Sequence, residues 1–158
     1  MAKARAIDGL EAGQPCAQAA ARIVEVRAAE VAEHSGGVLD TVDIERVHDM
    51  RVATRRLRAA LEIFEPCFPG RLLKPALKDV KRLADALGER RDRDVAIDAL
   101  ERFGAMMPAA DRAGISSLVA ELRREQVEAN EALTGFVAEE RLTALGDRLR
   151  ELVEEAAG

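Results

Sequence analysis

The chain has 158 residues, a formal net charge of −5 and 48% hydrophobic residues, which excludes a disordered polypeptide and leaves room for one domain, residues 1–158, with a sizeable core. Ala (30), Leu, Arg (20) and Glu dominate, while aromatic residues make up 3% with no Trp or Tyr. These are strong helix formers, so the expected fold class is all-α rather than all-β or doubly wound α/β.

Taken in chain order, the periodicity predicts about six helices. The first runs from Pro15 to about His34, with Ala17, Ala20, Ala21, Val24, Ala28 and Val31 on one face, and Ser35-Gly36-Gly37 stops it. A second starts near Thr41–Asp43 and continues to about Glu65, where Pro66 closes it. After the Pro69-Gly70 turn, a third is expected over Arg71–Leu87, with Gly88 as its C-terminal residue. A fourth follows over Asp92–Phe103, its early acids suiting a helix N-terminus. The fifth begins at Pro108–Asp111 and ends near Gly135; the sixth covers Glu139–Val153. Short connections predict antiparallel packing as a bundle.

Several function classes drop out. No apolar run approaches the roughly 18 residues of a membrane span, so no membrane partner is expected. The N-terminal residues MAKARAIDGLEAGQPCAQ lack the apolar centre of a secretory signal. Cys16 and Cys67 form no CxxC pair and read as reduced thiols of a cytoplasmic protein, with Cys67 a packing residue in its turn. His34 and His48 are too few for a zinc site alone, and no nucleotide-binding loop or hydrolase motif occurs, so no metal or cofactor is expected.

Charge is unevenly spread. Between Arg46 and Arg93 there are 13 basic and 7 acidic residues, whereas the rest of the chain holds 11 and 22. A basic centre in acidic surroundings matters for binding, because salt screens charges beyond roughly 8–10 Å.

The segment Val47–Phe64 carries the informative pattern. On a helix, Met50, Ala53, Leu57, Ala60, Leu61 and Phe64 fall within an arc of about 100°, the core face. His48, Arg51, Arg55 and Arg58 fall within another arc of about 80° on the far side, and no acid sits within that line. The next helix has Leu73, Leu77, Val80, Leu83, Ala84 and Leu87 inside. Lys74, Lys78 and Lys81 share an outer line, flanked by Arg82. If the two helices are antiparallel neighbours, their basic lines can face one groove, with Arg90, Arg91 and Arg93 at the next junction. Arginine forks and lysine point charges suit a chain of phosphates. A solvated charged face is the plainer alternative.

The residues His48-x-x-Arg51-Val52-x-x-Arg55-Arg56-Leu57-Arg58-x-x-Leu61, then Lys81, then Leu87-Gly88-x-x-Arg91-Asp92-x-Asp94-Val95, resemble the signature of the CHAD family, the conserved-histidine α-helical domain. The resemblance is strong over residues 43–104. It implies a helical bundle that binds inorganic polyphosphate, with His48, Arg51, Arg55 and Arg58 lining the phosphate path and Lys81 opposite. Lys74, Lys78 and Arg82 are added by helical geometry, and Arg56 lies at the edge of the stripe. Arg91 and Asp92 match the second block, as ligand contacts or as an internal ion pair. Family members usually hold two related bundles with a motif in each, whereas this chain has one copy. That implies a short member or fragment, or a homodimer that rebuilds the pair. The resemblance also suggests association with cytoplasmic polyphosphate granules.

The expected activity is therefore non-catalytic, salt-sensitive binding of polyphosphate in a groove between the second and third helices. Nucleic acid is the competing phosphate-rich partner, disfavoured by the acidic balance and by the lack of Trp and Tyr for stacking. A scaffold bundle with an incidental basic patch is a further alternative. A phosphoryl-transfer enzyme using His48 would need metal-binding acids beside it, for which Asp49, Asp92 and Asp94 are the candidates.

Overall fold

A computed structural model describes residues 2–158. Among these residues, five α-helices follow one another: α1 (Cys16–Glu33), α2 (Glu45–Ile63), α3 (Gly70–Ala105), α4 (Arg112–Val137) and α5 (Glu139–Ala157), with one 3₁₀ turn at Glu65–Cys67 between α2 and α3. No strand occurs among the described residues. The apolar stripes converge as their spacing predicts. Val24 and Val31 of α1, Val47, Met50, Leu57 and Leu61 of α2, Leu73, Val80, Leu83 and Leu87 of α3, and Leu133, Leu145, Leu149 and Leu152 from α4 and α5 form one buried cluster. Helix α1 packs on α2 and α5, and α3 packs on α2, α4 and α5.

The helix count differs from the expected six because the third and fourth are one. Helix α3 has 36 residues, about 54 Å at the usual rise. Gly88 lies inside it with no positive φ. A mid-helix glycine costs about 1 kcal/mol relative to alanine. Burial of Leu83, Leu87 and Ile97 on either side, all at 4% exposure or less, outweighs that cost. The second half of α3 runs beside α4, where Arg93 meets Glu125 and Arg123 meets Glu101.

Two further segments fix the frame around α2. The residues before α1 lie along α1 and α2: Ala2 donates its N–H to Asp49 at 2.7 Å and accepts from Arg56 at 2.9 Å. The loop from α1 to α2 turns at Gly37, whose φ of +69° favours glycine. A Cβ there would come within 2.7 Å of the Arg46 guanidinium.

Candidate functional site

Helix α2 keeps its basic stripe outside because the opposite face is filled by the core. Arg51, Arg55 and Arg58 line a cleft of about 510 Å³ between α2 and α3. The other wall is Ala84, Asp85, Gly88, Glu89 and Asp92 of α3. Gly88 stands opposite Arg51, where an added Cβ would be 3.9 Å from Nε. Among the described residues, neither Arg51 nor Arg55 has a carboxylate within ion-pairing distance. Arg58 donates from Nε to Glu62 at 3.1 Å, and the Lys81 ammonium meets the same oxygen at 3.1 Å. The Arg58 hydrogen bond, then that of Lys81, hold the Glu62 carboxyl below the usual range. His48 is half-buried one turn before Arg51.

The α3 lysine line does not line this cleft; Lys81 reaches only Glu62, beside Arg58 at its end. Lys74, Lys78 and Arg82 line a second depression with Asp79 and Arg148 of α5. Arg82 and Arg148 also border a neighbouring hollow with Arg141. Arg148 pairs with Asp79 at 3.3 Å. The reason is register. Antiparallel packing brings the α2 arginines alongside the later turns of α3, where the outer line has changed from lysine to Asp85 and Asp92. Arg141 and Arg148 had a signal in the sequence, a seven-residue spacing on one helical face, but their partner helix did not.

Arg56, Arg90, Arg91 and Arg93 have structural partners. Arg56 holds the backbone of Ala2. Arg91 donates to the carbonyl of Ile44 at 2.9 Å and pairs with Glu45 at 3.2 Å, fixing the start of α2. Arg93 is shared between Glu89 and Glu125. Arg90 is fully buried, donating to Asp94 at 2.9 Å, to Asn130, and to the carbonyl of Asp40 at 3.0 Å. Asn130 completes the network with Leu39 O at 3.0 Å, and Gln126 donates to Asp94 at 2.6 Å. Asp94 thus belongs to the packing between α3, α4 and the first loop. Nothing short of the fold itself marks Gln126 as a partner of Asp94 or Asn130 as a partner of Arg90.

Glu45, His48 and Asp49 place one donor atom each within 4.8 Å of one another at the start of α2. Glu45 and Asp49 already bond to Arg91 and to the Ala2 N–H. Among the described residues, no helix is long and apolar enough to cross a membrane.

No curated protein matches the chain. The family model for the CHAD domain matches residues 22–158. That span takes in all five helices but for the first turns of α1, well beyond the two motif blocks on α2 and α3. With its arginine stripe on one helix and its second block at the neighbouring turns of α3, the chain belongs to the CHAD domain family.

Proposed function

We propose that the protein binds inorganic polyphosphate without transforming it, the phosphates lying along the α2 side of the cleft. The observation that carries this reading is Arg51 and Arg55, one helical turn apart on an open wall and without carboxylate partners among the described residues. A guanidinium so placed gains a paired, two-point contact from a phosphate and loses no existing ion pair. Membership of a family in which some members bind polyphosphate supports the same ligand.

Asp85, Glu89 and Asp92 on the facing wall repel a polyanion. The ligand therefore keeps to α2, from His48 past Arg51, Arg55 and Arg58 to Lys81. From there it continues onto the exposed cations Lys78, Lys74 and Arg82. Arg56 and Arg91 act indirectly, by holding α2 in place. The burial of Asp94 against Arg90 removes one of the acids that a metal-assisted phosphoryl transfer would use, which supports binding rather than catalysis. A homodimer would present two such faces and make binding depend on protein concentration, which light scattering with and without ligand reads directly.

The test is calorimetric titration with long-chain polyphosphate at two salt concentrations, for the wild type and Arg51→Ala/Arg55→Ala. The expected result is salt-sensitive binding that the variant loses, with a log–log salt slope smaller by about 1–2 if two phosphate contacts disappear. Absence of binding by the wild type overturns the proposal. Equal loss of polyphosphate when DNA or RNA competes at matched charge would shift the reading to a general nucleic-acid surface.

A further inference from the structure

The two thiols lie together. Cys16 opens α1 and Cys67 closes the 3₁₀ turn after α2, 51 residues apart in sequence, yet their sulfur atoms are 3.2 Å from each other. That is about 1.2 Å longer than a disulfide bond. Both are free thiols, Cys16 exposed and Cys67 half-buried. Neither lines the arginine cleft.

We propose that Cys16 and Cys67 form a reversible modification site, closed to an intramolecular disulfide by exchange with a small organic disulfide such as oxidised glutathione. Exposure gives Cys16 the first step. Its thiolate attacks one sulfur of the reagent, forming a mixed disulfide and releasing one glutathione thiolate, which takes up a proton. The contact with Cys16, then burial, push the Cys67 thiol up, so Cys67 is the partner that holds its proton until the second step. Cys67 then gives up that proton and attacks the Cys16 sulfur, expelling the second glutathione. The two cysteines lose two electrons and two protons, and one oxidised glutathione becomes two reduced ones.

The bond would join the first turn of α1 to the turn that launches α3 and close a loop of about 50 residues. A loop of that length gains more from cross-linking than a short one, because the unfolded chain loses the freedom to separate its ends. The cross-link is thus a redox-dependent staple on the end of the bundle where α1, α2 and α3 meet.

The experiment is incubation of the full-length protein with oxidised glutathione, followed by intact mass measurement without reductant and by thermal melting. The expected product is a monomer lighter by two hydrogens, carrying no glutathione and no free thiol. Its melting temperature should rise by roughly 5–10 °C and return on adding dithiothreitol. Cys67→Ser should instead trap a stable glutathione adduct on Cys16, because the resolving thiol is gone. Glutathione retained on the wild type, disulfide-linked dimers, or two thiols still free after prolonged incubation would each overturn the proposal.

Discussion

The Lys81 ammonium on α3 stands 3.1 Å from the Glu62 carboxylate on α2, on the oxygen that also accepts from Arg58. Glu62 therefore neutralises the end of the arginine line. It is an internal competitor for the two cations that a phosphate chain would meet on leaving the cleft.

Replacing that competitor should strengthen binding. Glu62→Gln removes one negative charge and leaves Arg58 and Lys81 without an ionic partner, so polyphosphate affinity is expected to rise severalfold and the salt dependence to steepen. The fold should change little, since exposed ion pairs contribute about 0–1 kcal/mol. Calorimetry beside a thermal melt checks both parts. An unchanged affinity would place the ligand path away from Arg58 and Lys81.

Gly88→Ala distinguishes a helix interior from a helix end. At a left-handed C-terminal position, alanine would be strained. In the continuous α3, its Cβ meets only Arg51 Nε, at an ordinary 3.9 Å. The variant is therefore expected to gain about 0.5–1 kcal/mol in urea unfolding. A loss of stability would mean that α3 breaks at this point in solution.

Gly88 also shows where the sequence stops being readable. Its reading as a helix end followed from local turn chemistry, and burial of Leu87 and Ile97 on either side, a tertiary effect, decided otherwise. The α2 stripe was legible because it depends on one helix and its 3.6-residue period. The wall facing it depends on the register between α2 and α3, which no local pattern encodes, and so Asp85 and Asp92 stand where lysines were expected. Arg90, Arg91 and Arg93 look alike in the sequence. Only the placement of Gln126 and Asn130 about 40 residues later distinguishes the buried one.

Acid should loosen the contact between the N-terminal segment and α1. Glu30 is 1% exposed and accepts from Arg27 at 2.8 Å and from the Arg5 N–H at 2.6 Å. Burial alone would raise its titration, but these bonds and the charges of Arg27 and Arg56 outweigh it, and the carboxyl is held below its ordinary 4.5. A lowered carboxylate value contributes stability above the unfolded value, and that contribution is lost as pH falls through the folded one. Glu30→Gln is thus expected to melt lower than the wild type at neutral pH and to converge with it in the acid range below 4.5. Melting curves that stay parallel down to about pH 3 would show that Glu30 is not the linked group.

The Arg90–Asp94 pair, with both side chains at 0% exposure, should be the most sensitive point in the fold. Arg90→Met leaves Asp94 charged and buried with Gln126 as its remaining partner, and also frees the carbonyl of Asp40 in the loop before α2. Removing one member of such a pair costs about 3–5 kcal/mol, because the survivor keeps its desolvation penalty without its counter-charge. Arg90→Met/Asp94→Leu should recover much of that loss, since the pair's net contribution against apolar replacements is near zero. Urea unfolding of the two variants measures the difference. A double variant no more stable than the single one would show that Arg90 acts mainly through Asn130 and Asp40, as the clamp that sets the start of α2 and with it the arginine line.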